Sequence, residues 1–121
     1  AGWTGAEGLS SYCASKFGLR GFGISLAADL ENTGVEVTNV YPCFSRTPIL
    51  DSPQHGYDDH RTVPEYLISD PAHVVSRIVH GVRRNRVHVF PDKYARLIHY
   101  LTRFAPWLLR ILDRRVQADS M

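Results

Sequence analysis

Two strand-like segments separated by a helix-like segment constrain the fold of this chain most. Val35 to Tyr41 and Arg86 to Phe90 are short runs rich in β-branched and aromatic residues, a composition typical of strands. Between them, Asp70 and Pro71 mark a helix start, because an N-cap residue is followed by proline at the first helical position. Strands joined through a helix lie parallel in a sheet that is covered on both faces. The sequence therefore predicts an α/β fold, whose sheet needs more than these two strands.

The helix that starts at Asp70-Pro71 carries one apolar stripe. Its members, at helical spacing, are Val74, Val75, Ile78, Val79 and Val82. We expect this stripe to pack on the sheet. The strand that follows stops at Pro91, since proline cannot donate to a ladder.

An earlier helix is predicted from about Ser11 to Asn32. Ser10 or Ser11 can cap its N-terminus, and Gly34 follows as a stop. Three glycines lie in its interior: Gly18, Gly21 and Gly23. Because glycine in a helix costs about 1 kcal/mol relative to alanine, we expect a close neighbour there. That neighbour is the sheet, a second helix, or the same helix of another subunit in a symmetric oligomer.

Tyr12 and Lys16 lie four residues apart in this helix and so project from one face. A phenol with an ordinary pKa of about 10 is a poor acid or base at neutral pH. An ammonium group held beside a phenol favours the phenolate and lowers its pKa. The pair is therefore our candidate for acid–base catalysis.

Three runs come in an order that resembles a known family. They are SYCASKFGLRGF at residues 11–22, VEVTNVYP at 35–42 and RTP at 46–48. Together they resemble the C-terminal half of a short-chain dehydrogenase/reductase, closely to about Pro48 and more loosely from about Asp70 to Pro91. The resemblance implies the C-terminal part of a Rossmann-like, doubly wound parallel sheet with a helical C-terminal extension. The family's glycine-rich nucleotide turn has no counterpart here, so we expect a partial chain that by itself binds cofactor poorly and catalyses little.

The resemblance implies roles for the pair. The lysine binds the nicotinamide ribose and tunes the tyrosine, and the tyrosine exchanges a proton with the substrate oxygen, so Tyr12 and Lys16 are the predicted catalytic residues. The family's substrate-binding serine lies upstream of the position of Ala1. Ser10 and Ser11 do not match it.

The loop after the first strand is the other part of the predicted site. The resemblance implies that Pro42, Cys43, Ser45 and Thr47 contact the cofactor together with Tyr12 and Lys16. Cys43 stands where the family usually has glycine. Three interpretations of Cys43 are open. The most favoured is a tolerated small residue, the next is a strained position that alters cofactor geometry, and the least favoured is a reactive thiol.

Residues 49 to 70 have no convincing period. In the family the matching region closes over substrate, so we interpret this one as a lid that favours an apolar or ring-bearing substrate. His55 and His60 lack a third partner at metal-ligand spacing, and we interpret them as solvated rather than as ligands. The sequence offers no metal site and no disulfide framework for Cys13 and Cys43.

The domain assignment is a catalytic part at 1–91 and an amphipathic basic tail at 92–121. The tail's apolar residues keep helical spacing, with Pro106 as a break: Tyr94, Leu97, Ile98, Leu101, Phe104, Leu108, Leu109 and Leu112. From Pro71 onward the chain has ten Lys or Arg and three Asp or Glu. We consider three roles for the tail. It packs on the parent domain or on another subunit, it contacts a membrane surface or a lipid, or, as the least favoured role, it binds nucleic acid.

The predicted function is an NAD(P)-dependent oxidoreductase that interconverts a secondary alcohol and a ketone on a small apolar molecule. The alternative is a non-catalytic binding or membrane-surface scaffold with the same fold. NAD and NADP are not distinguished, because the residue that reads the ribose 2′ position has no counterpart here. We expect a homo-oligomer formed through the Tyr12 helix, and a cytoplasmic protein that is peripheral at a membrane if the tail binds lipid.

Overall fold

Helices and short parallel strands alternate along the described part of the chain, which is residues 2–6, 8–48, 63–109 and 111 of a computed structural model. The helices are α1 at Ser10–Asp29, α2 at Pro71–Val82 and α3 at Lys93–Phe104, with a 3₁₀ turn at Glu65–Leu67. The strands are β1 at Asn39–Val40, β2 at Phe44–Ser45, β3 at Ile68–Ser69 and β4 at His88–Val89. This is an α/β architecture, consistent with part of a Rossmann-like fold.

The strands form two parallel pairs. In the first, Asn39 of β1 lies opposite His88 of β4, and the Tyr41 amide donates to the Val89 carbonyl at 2.9 Å. The predicted parallel pair is thus confirmed, but β1 is shorter than the expected Val35 to Tyr41. Val35 is exposed, and the hydrogen-bonded ladder to β4 begins only at Asn39. Residues rich in β propensity form a strand here only where β4 is available to pair with them. The second pair, β2 with β3, was not predicted.

Helix α1 begins without the predicted serine cap. Leu9 occupies the N-cap position with no side-chain hydrogen bond, and Ser10 is already helical. The prediction was wrong because a turn delivers the chain to the helix, with the Leu9 amide donating to the Ala6 carbonyl at 3.2 Å. At the other end the helix stops at Asp29, before Asn32, since Leu30 and Thr33 close a separate turn.

Of the three helix glycines, Gly23 is the one packed against a neighbour. A Cβ there would lie 2.8 Å from Asn39 Cγ of β1, whereas Gly18 and Gly21 have nothing within 4 Å. The expected close approach is therefore confirmed for Gly23, whereas for Gly18 and Gly21 no neighbour lies among the described residues of this chain and the alternative of another subunit stays a prediction. Sequence reasoning missed Gly81 of α2, whose added Cβ would lie 3.0 Å from Val89 Cγ1.

Helix α2 starts as predicted. Asp70 is its N-cap and accepts a hydrogen bond from the His73 amide at 3.1 Å, with Pro71 at the first position. Its stripe packs only along one edge, because Val74 is buried and Ile78 half-buried. The other three members are exposed: Val75, Val79 and Val82.

Helix α3 returns onto the first half of the chain. It ends at Phe104, and residues 106–109 and 111 are again helical, which confirms the break at Pro106. The ring of His99 stacks on Phe90 at 4.4 Å and meets Trp3 edge-on at 4.6 Å. The ring of Tyr41 also stacks on Phe90, with the ring centroids 5.1 Å apart. This aromatic cluster joins the residues before α1, the ends of β1 and β4, and helix α3.

Candidate active site

Helix α1 presents the catalytic candidates together. The Nζ atom of Lys16 lies 5.2 Å from the centroid of the Tyr12 ring. Both residues are exposed, and Tyr12 has 43% of its surface accessible. A helical turn places them on one face, as the spacing predicts. The ammonium group lies near the ring, and the exposure of Tyr12 leaves the phenol open to an incoming ligand.

The segment before α1 fixes this face of the helix against the end of β1. Arg20 places its guanidinium 3.5 Å from the Trp3 ring centroid and donates to the Gly2 carbonyl at 3.4 Å. A Cβ on Gly2 would lie 3.4 Å from the Lys16 carbonyl oxygen and 3.6 Å from Tyr41 Cδ1. Gly2 therefore packs between the backbone of Lys16 and the ring of Tyr41, the residue that follows β1. The catalytic candidates lie close to the carboxyl end of a parallel strand, where α/β sheets bind ligands.

The predicted cofactor loop is partly a strand. Phe44 and Ser45 pair with β3, and the Arg46 amide donates to the Ser69 carbonyl at 3.3 Å. The prediction of a loop throughout this segment was wrong in this respect, because the pairing partner lies more than twenty residues away in sequence. Ser45 is half-buried, whereas Pro42 and Thr47 are exposed.

Cys43 is not strained. Among described residues other than glycine, positive φ values occur at Asn32 and Asn85. Burial raises the pKa of the Cys43 thiol, the Asp92 carboxylate raises it further, and a hydrogen bond to the Phe44 backbone opposes both. A neutral thiol is a poor nucleophile. The structure therefore favours a tolerated small residue over strain or a reactive cysteine.

Asp92 is a site residue that sequence reasoning missed. It is 4% exposed, and its two carboxylate oxygens have different partners. Oδ2 accepts from the Cys43 amide at 2.9 Å, and Oδ1 accepts from the Ala95 amide at 2.7 Å. One side chain thus caps α3 and holds the loop after β1. Its position before a helical apolar pattern signals an N-cap, but nothing in the sequence signals the bond to Cys43.

Two histidines near the loop were also missed. Tyr41 Oη and His88 Nδ1 are 3.1 Å apart, within hydrogen-bond distance. Burial raises the pKa of Tyr41 and lowers the pKa of His88. Burial also lowers the pKa of His99, and the positive charges of Arg103 and Arg20 add to the effect. The aromatic cluster is thus a site where uncharged side chains are favoured.

The two halves of the predicted site are not directly bonded. Across the described ranges, no hydrogen bond links Tyr12 or Lys16 with Ser45 or Thr47. The two halves are connected indirectly, because Gly2 packs between the Lys16 carbonyl oxygen and Tyr41, which lies between β1 and the loop. Most of the predicted lid, including His55 and His60, lies outside the described residues; of its described end, Glu65 pairs with Arg46.

The described residues also bear on other kinds of site. Within residues 2–6, 8–48, 63–109 and 111, no group of three His, Cys, Asp or Glu side chains is placed to hold a metal ion. None of the helices in the described ranges combines the length and the apolar character that crossing a bilayer requires.

Comparison with known proteins finds similarity to one family. Residues 1–58 match the family described as short chain dehydrogenase. Human epidermal retinol dehydrogenase 2 is 29% identical over 110 residues, covering 88% of this chain and 34% of that protein. The 3-ketodihydrosphingosine reductase of Dictyostelium discoideum is 31% identical over 84% of this chain and 31% of its own length. Human estradiol 17-beta-dehydrogenase 11 is 28% identical over 96% of this chain and 37% of its own length.

This chain thus spans about a third of the length of the curated relatives that it matches. The family match covers α1, the Tyr12–Lys16 pair and the loop after β1. Over residues 1–58 the chain is thus similar to the short-chain dehydrogenase family, and its similarity to individual dehydrogenases extends over most of its length.

Proposed function

We propose that the protein is an NAD(P)-dependent oxidoreductase that interconverts a secondary alcohol and a ketone. The observation that carries this proposal is the Lys16 ammonium, 5.2 Å from the Tyr12 ring centroid, on an exposed helix face beside the carboxyl end of β1. Relatives named as dehydrogenases and as a reductase support the reaction class. NAD and NADP remain equal candidates.

The donors on this helix face suit a nicotinamide ribose. The Lys16 ammonium has three N–H donors for ribose hydroxyls, and the Tyr12 hydroxyl can donate or accept. When bound, the nicotinamide supplies or accepts the hydride. Tyr12 gives a proton to the carbonyl oxygen during reduction and takes one from the alcohol during oxidation. Lys16 stabilises the charge left on the phenol oxygen.

The loop after β1 is proposed to position the nicotinamide ring. Its candidates are Pro42, Cys43, Ser45 and Thr47. Asp92 supports their placement by accepting the Cys43 amide hydrogen bond, and β3 supports Ser45 through the parallel pairing. In this role Asp92 is a positioning residue, because it acts through the loop backbone.

The substrate is proposed to be an apolar alcohol or ketone. The names of the relatives refer to retinol, estradiol and 3-ketodihydrosphingosine, which are largely apolar molecules. Tyr66, next to the 42–48 loop through β3, is an exposed aromatic ring that can contact such a substrate. A panel of secondary alcohols graded by apolar size tests this, since kcat/KM should rise with apolar surface.

A homo-oligomer through α1 is also proposed. Leu19 and Phe22 of α1 are exposed, and Gly18 and Gly21 on the same helix have open space beside them. Small residues flanked by large apolar ones allow two helices to approach closely. Sedimentation of a Phe22→Ser variant tests this, and an unchanged sedimentation coefficient would contradict it.

Direct hydride transfer is the decisive test of the reaction class. A secondary alcohol deuterated at the carbinol carbon should transfer its deuterium to the oxidised cofactor in the full-length protein. Lys16→Ala should weaken both cofactor binding and turnover, because the ammonium serves ribose and phenol. Reduced cofactor without deuterium, or full activity in Lys16→Ala, would contradict the proposal.

A further inference from the structure

Helix α3 and the helical residues after it have two different apolar faces. The inner face contacts the rest of the molecule, with Ala95 buried and Ile98, His99 and Thr102 half-buried. The second face, which we call the outer face, consists of Leu97, Tyr100, Phe104, Trp107 and Ile111. Each of these five side chains is between 46% and 74% exposed. Packing on the molecule therefore accounts for the inner face and leaves the outer face uncovered within the described residues.

The outer face consists of two exposed apolar segments. On α3, Leu97, Tyr100 and Phe104 are spaced by three and four residues, the spacing that lines up side chains on a helix. The rings of Tyr100 and Phe104 are stacked, with centroids 6.5 Å apart and an interplanar angle of 17°. After the break at Pro106, Trp107 and Ile111 are spaced by four residues and are also exposed. Clustered exposed apolar side chains on a folded protein indicate a contact surface.

The charge beside the outer face has one sign. Lys93, Arg96 and Arg103 are exposed, and the Arg103 guanidinium lies 5.9 Å from the Phe104 ring centroid. Arg96 and Arg103 are seven residues apart and so share one edge of the helix. No Asp or Glu occurs between Lys93 and Ile111. The partner of this surface must therefore combine apolar material with negative charge.

We propose that the outer face binds the surface of a membrane that contains anionic lipid. The helix would lie in the plane of the interface, with Phe104 and Trp107 at the boundary between headgroups and acyl chains. Arg96 and Arg103 would contact lipid phosphates. This inference does not depend on the proposed enzymatic function.

Two other occupants fit the same surface less well. A second copy of the outer face would bring a second set of arginines to the contact without a carboxylate to pair with them. A nucleic acid would supply phosphates for Arg96 and Arg103 but would leave the aliphatic side chains of Leu97 and Ile111 unmatched. An anionic bilayer satisfies both the charge and the apolar area.

Vesicle co-sedimentation of the full-length protein tests the proposal. We expect binding to vesicles of phosphatidylcholine with phosphatidylserine, and at least about tenfold weaker binding to phosphatidylcholine alone. Raising NaCl from about 0.1 M to about 0.5 M should weaken it similarly, because salt screens the contact. Phe104→Ser with Trp107→Ser should abolish binding, and Arg96→Gln with Arg103→Gln should remove its salt dependence.

Matched variants on α2 and in the turn that follows it serve as controls. Val75→Ser with Val79→Ser removes two exposed apolar side chains, and Arg83→Gln with Arg84→Gln removes two exposed charges, both outside the tail. Neither pair should change vesicle binding. Equal losses in the control pairs, or no loss in the outer-face variants, would overturn the proposal.

Fluorescence of the unmutated tail keeps the proposal testable if the serine variants fail to fold. Brominated lipid should quench part of the tryptophan emission, and Trp107→Phe should remove that quenching while vesicle binding persists. Absence of quenching in the wild type overturns the proposal. The proposal is also overturned if the outer face is covered by another part of the protein or by a nucleic acid. It is likewise overturned if the protein sediments as a dimer and Phe104→Ser abolishes that dimer, because a second copy then occupies the outer face.

Discussion

The catalytic candidates on α1 and the loop after β1 are built in different ways. Tyr12 and Lys16 are brought together by four residues of helix and stand exposed. The loop is shaped by Asp92, which is 49 residues from Cys43 in sequence, and by the pairing of β2 with β3. The comparison teaches that local periodicity brings the two catalytic candidates together, while long-range contacts shape the loop that is proposed to meet the cofactor.

The largest expected effect on stability comes from the long-range contact. Asp92→Ala removes the cap of α3 and leaves the half-buried Cys43 amide without its acceptor, so we expect a loss of about 3 kcal/mol in the free energy of unfolding. Asp70→Ala removes an exposed cap with one amide partner and should cost about 1 kcal/mol. Urea denaturation measures both. Equal losses would mean that the bond to Cys43 contributes nothing.

Next in size is the contrast among the glycines of α1. Gly23→Ala places a Cβ against the Asn39 side chain and should destabilise the fold by about 2 kcal/mol. Gly18→Ala and Gly21→Ala meet nothing within 4 Å in the single chain, so each should stabilise the monomer by about 1 kcal/mol. Thermal unfolding of the full-length protein at a concentration where it is monomeric measures these changes. At a concentration where the proposed oligomer forms, Gly21→Ala should instead destabilise the protein, because the added Cβ enters the helix contact.

The smallest effect concerns pH. Since burial lowers the pKa of His99, the unfolded chain binds the proton more tightly, and stability is lost as the pH falls from above about 6.5 through the lowered value. The melting temperature should therefore drop between about pH 7.5 and pH 5.5, and His99→Phe should make the drop smaller while keeping a ring on Phe90. A melting temperature that rises on acidification would contradict this assignment.

The sequence predicts those features whose cause is local. Asp70 and Pro71 identify the start of α2, and the spacing of Tyr12 and Lys16 places them on one face, because helix caps and helical periodicity act over a few residues. The parallel pairing of β1 with β4 follows from the helix between them.

Features with a distant cause were missed or misjudged. The pairing of β2 with β3 and the bond from Cys43 to Asp92 depend on which segments meet in space. The α2 stripe is only half covered, although all five of its residues are apolar, because burial is decided by neighbours rather than by the residue itself. The same reason explains why the outer face of the tail could be recognised only in the structure.

Turnover of Tyr12→Phe in the full-length protein tests the central claim most directly. The substitution removes one hydroxyl from an exposed helical position and leaves Lys16 in place. We predict that kcat falls at least about 100-fold while the Kd of the cofactor stays within about twofold, because proton exchange is lost whereas the Lys16 donors to the ribose remain. A kcat close to that of the wild type would contradict the assignment of Tyr12 as the acid–base residue.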